Sequence, residues 1–237
     1  MLFRADLHIH TVLSPCGDLD MSPRNIIAMA KQKKLDIIGI TDHNSTRQAI
    51  IIQEKAQKEG IFVLAGVEIS TREEAHCLAF FPNRERLDEF QLFLDRHLPS
   101  IQNNPEKFGY QVVVDWDDQI LYEEKRLLIS ALDLPIENIE HEVHRLEGIF
   151  IPAHIDKSCF SILSQLGFVP PDLRVEALEL SPYTTKEAFL KGNNYLQNYA
   201  FIRSSDAHYV NDIGKVYTEL SLSSPSFESI NQAIRSL

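Results

Sequence analysis

Three cysteines, Cys16, Cys77 and Cys159, are all that the 237 residues provide. An odd, widely spaced set builds no disulfide framework, and this points to a reducing, cytoplasmic setting. Long apolar runs are missing as well. None approaches the length needed to span a bilayer. Residues 1–12 carry Arg4, Asp6, His8 and His10 where a secretory signal would need an apolar core. Positive charge is scarce too: 23 Lys and Arg stand against 34 Asp and Glu, a formal charge of −11. Proteins that hold nucleic acid through its phosphates usually present a basic face, so this balance argues against long nucleic acid as a partner. Bound divalent cations would offset acidity locally. There is no internal repeat and no low-complexity tract. Nothing in the sequence fixes an oligomeric state.

What is present is alternation of short apolar runs with helical patterns. Strands are predicted at 3–9, 35–41, 61–69, 76–81, 148–153, 175–181, 200–205 and 216–222. Helices are expected between them, one opening at Ser22 and Pro23, others stopping at Gly60 and Gly148. Near-continuous apolar strands separated by helices predict a parallel sheet covered by helices, and seven or eight such units favour a closed α/β barrel. Residues 84–135 break the rhythm with a helix and a hairpin turning at Trp116–Asp118. They are expected to form a small inserted α+β subdomain capping a barrel built from 1–83 and 136–237. Residues 84–126 hold six Lys or Arg against ten Asp or Glu, which is not a platform for nucleic acid.

The chemistry gathers where strands end. "DLHIH" places Asp6, His8 and His10 at a strand period, so all three would share one face and Leu7 and Ile9 the other. "ITDH" ends the second strand with Asp42 and His43, and "GVEIS" ends the third with Glu68. His76 follows the sharp reversal "TREEA". "IFIPAH" ends in His154 and "FIRSSDAH" in Asp206 and His208. Each piece alone has a plain structural alternative: a turn, a strand end or a polar strand face. Together they put six of the nine histidines and at least three carboxylates at one barrel end. So many imidazoles and acids would repel or stay unpaired without cations, which favours a metal cluster. His97, His141 and His144 lie on helices. His97 is expected to meet the negative helix end, and the other two to lie on a solvated face.

"DLHIHT", "ITDHN", "GVEIS", "PAHID" and "SSDAH", in this order from residue 6 to 208, resemble the PHP family, named for polymerase and histidinol phosphatase. The resemblance implies a distorted (β/α)7 TIM-like barrel, the PHP fold, with two or three divalent metals at the carboxyl ends of the strands. It implies a cytoplasmic phosphoesterase or phosphatase that hydrolyses a phosphate monoester or diester of a small metabolite or nucleotide through a hydroxide shared between metals. His8, His10, Glu68 and Asp206 would hold one metal. Glu68 would bridge to a second, held by His76 and His154. His43 and His208 would hold a third. The family draws one further ligand from the loop after the first strand, where this sequence offers Cys16, Asp18 or Asp20. A thiolate there would favour zinc, whereas carboxylates and imidazoles also suit manganese or iron.

Such metals would offset phosphate charge and activate water. Asp6 and Asp42 are expected to orient ligand histidines, or to serve as strand-end caps. Lys157 would reach the substrate phosphate, or else be an ordinary surface lysine. Three other activities stay open: an exonuclease on short single strands, a metal-binding module without turnover, and a hydrolase of C–N bonds. The last usually relies on a carboxylated lysine or an aspartate after the final strand. The pair Asp206 and His208 fits the PHP pattern better.

Overall fold

A computed structural model describes all of residues 1–237. Ten strands follow the apolar runs: β1 (Leu2–Ile9), β2 (Ile37–Ile40), β3 (Phe62–Ser70), β4 (His76–Phe80), β5 (Val112–Val114), β6 (Ile120–Glu123), β7 (Ile149–Pro152), β8 (Leu178–Leu180), β9 (Phe201–Arg203) and β10 (Thr218–Ser221). Between them lie α1 (Pro23–Gln32), α2 (Arg47–Ala56), α3 (Arg84–His97), α4 (Pro105–Phe108), α5 (Ile136–Arg145), α6 (Ile162–Leu166), α7 (Lys186–Leu190) and α8 (Phe227–Arg235). Pro23 opens α1 as expected, although Ser22 makes no side-chain cap bond. Gly60 ends the turn after α2 in the left-handed region that a glycine adopts without strain. At the end of α5 the left-handed residue is Glu147, one before Gly148.

The main sheet runs β10-β1-β2-β3-β4-β7, and β8 pairs with β9 in parallel. Backbone bonds close the ring. Glu176 N donates to Phe150 O at 3.1 Å and Ile155 N to Glu179 O at 2.8 Å, joining β7 to β8. His10 N donates to Ala207 O at 3.0 Å, and Ala207 N to His8 O at 3.2 Å, joining the chain after β9 back to β1. Strands β1, β2, β3, β4, β7, β8 and β9 thus form a distorted seven-stranded TIM-like barrel. The expectation of a parallel sheet needs one correction: β4 is antiparallel to both β3 and β7. A tight turn from Thr71 to Ala75, closed by Thr71 N to Ala75 O at 3.0 Å, stands where a crossover helix would be. A short turn can only return the chain antiparallel.

Leu7, Ile37, Leu64, Leu78, Ile151 and Ile202 come from six barrel strands, and Ala177 directly precedes the seventh. All belong to one buried cluster, so they fill the common interior. Phe227, Ile230 and Ile234 of α8 join that cluster, and β10 pairs with residues 2–5 of β1. Both therefore plug the amino end of the barrel and leave the carboxyl end open. A larger buried cluster lies outside the strands, uniting Ile38 and Ile40 with Ile26 of α1, Ile52 of α2, Phe90 of α3 and Val143 of α5.

Strict alternation along β1 does not hold. Between Asp6 and Ile9 the register with β2 slips by one residue. Leu7 therefore sits in the inner cluster and Ile9 in the outer one. A bulge of this kind re-aims side chains beside a site. Within residues 84–135, β5 and β6 form the antiparallel hairpin. Val112, Val113 and Val114 are buried in the outer cluster with Leu87, Phe90 and Leu94. Gln48 of α2 exchanges two bonds with Val114, at 3.0 and 2.8 Å.

Candidate metal centre

The carboxyl end of the barrel, where antiparallel β4 begins at His76, brings six histidines and two carboxylates together. Glu68, near the end of β3, is the hub. Its Oε1 lies 3.0 Å from His76 Nδ1, 3.1 Å from His154 Nε2 and 3.4 Å from His8 Nε2. Its Oε2 lies 3.1 Å from His43 Nδ1 and 3.3 Å from His10 Nε2. Asp206 Oδ1 approaches the Nε2 atoms of His8 and His10 at 3.4 and 3.5 Å. The rings of His10 and His208 stack with centroids 4.1 Å apart. His8, His10, His43, Glu68 and His154 are buried. Two of the contributors sit in left-handed backbone, His154 at φ 31° and Asp206 at φ 51°. Strain of this kind collects at functional sites.

Of the three polar candidates in the loop after β1, the structure brings Cys16 to the cluster. Cys16 Sγ lies with nitrogen atoms of His10, His43 and His208 in a group whose members are all within 4.8 Å of one another. Asp18 instead accepts a bond from Asp20 N at 2.9 Å, closing a local turn. Neither aspartate enters the cluster. Cys16 is exposed at the mouth, but its thiol turns inward, where burial and the charge of Glu68 push its pKa up.

Outer partners hold the rings in place. His8 Nδ1 lies 3.0 Å from Glu179 Oε2, and His10 Nδ1 lies 2.9 Å from Ser14 Oγ. Asp42 accepts from Ser14 Oγ, Thr11 N and Thr11 Oγ1, each at 2.7 Å. It therefore reaches His10 only through Ser14. Asp6 touches no histidine ring. Its carboxylate accepts from Ser205 N at 2.9 Å and Gly214 N at 2.8 Å, because the β1 bulge turns it toward the chain after β9. Burial lifts its pKa to about 6 despite these bonds. Glu179, Ser14 and Thr11 were not among the sequence candidates. The signal for Glu179 was a carboxylate inside the apolar run "ALELS". Lys157 is not an ordinary surface lysine: it is half-buried and pairs with Asp206 Oδ2.

Electrostatics follow from this crowding. Burial opposes an ionised Glu68, yet His76, His8 and His43 hold its carboxyl well below the usual range. For Asp206 burial is likewise overcome, chiefly by His8. Burial pushes His43 well below the ordinary imidazole value, and burial plus repulsion from His10 lowers His208 to about 4. Both rings are therefore neutral near pH 7, the form that binds metal. The buried His43 Nδ1, although 3.1 Å from Glu68 Oε2, is not aligned to hydrogen-bond with it and has no other partner. His8 and His10 turn their Nε2 atoms to within 3.2 Å of each other. Lone pairs converging on common points fit divalent metal ions.

Of the remaining histidines, His97 Nδ1 lies 2.7 Å from Asp133 Oδ1. His144 departs from the solvated face expected for it. It is half-buried between Glu140 and Glu176, because α5 packs that edge against the segment entering β8.

An α/β barrel whose carboxyl end gathers imidazoles and carboxylates around one glutamate carries a candidate metal centre. The chain belongs to the PHP family: the PHP domain model matches residues 6–155 and a PHP-associated model matches residues 197–237. Its relatives include the uncharacterised protein YqxK of Bacillus subtilis, 25% identical over 263 residues, covering 98% of this chain and 61% of that one. Among solved structures, the lesion-specific endonuclease PfuEndoQ of Pyrococcus furiosus superposes with a TM-score of 0.75 at 20% identity, covering 100% of this chain and 56% of that one. A proposed metal-dependent phosphoesterase of Bifidobacterium adolescentis superposes with a TM-score of 0.64 at 18% identity, covering 97% and 95%. At these identities the likeness is one of fold. The matched stretches cover 52% and 61% of two curated relatives' length and 12% of a third's. No helix is long and apolar enough to cross a membrane.

Proposed function

We propose that the protein is a metal-dependent phosphoesterase acting on a small phosphate ester. The observation that carries this reading is the convergence of His8, His10, His43, His76, His154 and His208 on Glu68 and Asp206. His8, His10, Glu68 and Asp206 would hold one divalent ion, His76 and His154 a second shared through Glu68, and His43, His208 and Cys16 a third. Ions so held would supply charge to offset the phosphate and would acidify bound water. The thiolate of Cys16 would favour zinc at the third position, whereas the imidazoles and carboxylates of the other two also suit manganese or iron.

The chain's own residues do the rest. Glu68 faces both sets of ligands because its two oxygens point to different histidines. Glu179 and Ser14 fix the tilt of His8 and His10. Lys157 stands beside Asp206 at the rim, where its ammonium would donate to a phosphate oxygen. The cavity over the cluster measures about 300 Å³. Ile129, from the 84–135 segment, forms part of its wall. Asn44 fixes that segment, donating to Leu128 O at 2.7 Å and Ser130 O at 2.9 Å. These contacts support a role for residues 84–135 as a cap that narrows access. The acidic balance of the chain supports a small substrate over a long duplex, although PfuEndoQ is a lesion-specific endonuclease.

The test is metal content of the purified protein, with hydrolysis of p-nitrophenyl phosphate at increasing manganese. Bound metal and turnover, both lost in His10→Ala and Glu68→Ala, are the expected outcome. Tight metal without turnover on any phosphate ester would overturn the catalytic reading and leave a binding module.

A further inference from the structure

Phe160 occupies a position that stability does not explain. Its backbone is left-handed, φ 57°, a region where a bulky side chain is strained and glycine or asparagine is at ease. The residue is 46% exposed. Folding would gain from a smaller, more polar residue here.

The surroundings nevertheless fix the backbone here and stack the ring on His76, beside the Glu68 cluster. Phe160 O accepts from His76 N at 2.9 Å, fastening the loop to β4. Ser161, the next residue, caps α6 through a reciprocal bond pair with Ser164 and donates to Lys157 O at 2.7 Å. One face of the Phe160 ring stacks on His76, with centroids 5.1 Å apart and planes inclined by 19°. Phe160 and Ile129 supply apolar wall to a cavity otherwise lined by metal-ligand-type side chains, two cysteines and Lys157.

A phosphate ester entering this cavity has two unlike parts. Its phosphate must meet the cluster and Lys157. Its organic part must lie along the wall that Phe160 and Ile129 provide. A flat aromatic surface held rigid in advance favours a flat π partner, which stacks whatever its hydrogen-bonding edge. A volume of about 300 Å³ sits at the small end of ligand sites and accommodates one ring beside the phosphate.

We propose that Phe160 selects phosphate esters whose organic part carries a planar ring, and that this ring stacks on Phe160 while the phosphate lies at the Glu68 cluster. This deepens the phosphoesterase reading and rests on its placement of the phosphate. A mononucleotide and the terminal nucleotide of a short oligonucleotide share the required chemistry, as does a simple aryl phosphate.

The experiment compares adenosine 5′-monophosphate, p-nitrophenyl phosphate and a short oligodeoxynucleotide with ribose 5-phosphate, which has no planar ring. Wild type, Phe160→Leu and Phe160→Trp are studied with manganese bound. Hydrolysis is followed by phosphate release or chain shortening, and binding by calorimetry. The ratio of kcat/KM for adenosine 5′-monophosphate over ribose 5-phosphate should fall about tenfold in Phe160→Leu and recover in Phe160→Trp. Activity on the oligonucleotide equal to that on the mononucleotide would assign the ring to a chain end, and its absence would assign it to a free nucleotide. Equal losses on ring-bearing and ring-free esters would overturn the proposal and leave Phe160 as a residue that positions His76. If no ester is hydrolysed, calorimetry still decides. Tighter binding of adenosine 5′-monophosphate than of ribose 5-phosphate, erased by Phe160→Leu, would uphold the stacking and reject the phosphoesterase reading. No binding preference in wild type would reject the stacking itself.

Discussion

Glu179 Oε2 lies 3.0 Å from His8 Nδ1, and both side chains are buried. The carboxylate is placed to accept a proton from that nitrogen, which would leave Nε2 free to ligate a metal between Glu68 and Asp206. Glu179 also accepts from His154 N at 3.1 Å, so one residue steadies two of the histidines. Removing such a partner typically costs about 10- to 100-fold in metal affinity. Glu179→Gln should show a loss of that order in a competitive chelator titration, with the far-ultraviolet spectrum unchanged. Undiminished affinity would mean that the bulge in β1 alone orients His8.

Cys16 should betray itself spectroscopically. Cobalt-substituted protein is expected to show a thiolate-to-cobalt charge-transfer band that Cys16→Ser abolishes and Asp18→Asn retains. Cobalt binding without that band in wild type would move the loop ligand away from Cys16.

Much of this was legible in the sequence. Ligand types cluster at strand ends, and strand ends are readable from apolar runs. Hence His43, Glu68, His76, His154, Asp206 and His208 could be named before any contact was known. What escaped depends on pairings across long stretches of chain. Glu179 is 171 residues from His8, and no local pattern ties the two together. The register slip in β1 reflects how β1 meets β2, so period-two reasoning misplaced Asp6. The reversal of β4 was signalled by the shortness of "TREEA", yet alternation of strands and helices elsewhere outweighed it. His144 read as solvated because its partner Glu176 belongs to another part of the chain.

Stability should depend on pH through the group that His144 anchors, with Glu140, Glu176, Arg174 and Arg235 around it. Burial disfavours charge on His144, but Glu176 and Glu140 outweigh it and raise its pKa above 6.5. Its contribution is therefore complete below about pH 6.5 and fades as pH rises through the raised value. For Glu176, burial is outweighed by His144, and its pKa falls below 4.5. Its contribution is present above that value and lost as acid titrates it. The melting-temperature gap between wild type and His144→Gln should be wider at pH 5.5 than at pH 8.5. A gap that widened with pH would contradict the ion pairing.

Gly39 tests the barrel wall. A Cβ at this position would lie 2.4 Å from Leu7 O, inside the β1–β2 contact. The strands would have to part beside His8. Gly39→Ala should cost about 1–3 kcal/mol, as overpacking of a core does, measured by denaturant unfolding. A neutral result would show that β1 yields more readily than its buried contacts imply.

His8 and His10 leave the first strand, and Asp206 and His208 follow the ninth. The cluster therefore belongs to no segment of the chain and comes into being only when the ring shuts. Contacts of such long sequence separation form late and slowly. Ion uptake during refolding should accordingly lag behind the appearance of secondary structure, and its time course would clock the moment at which the barrel's two ends meet.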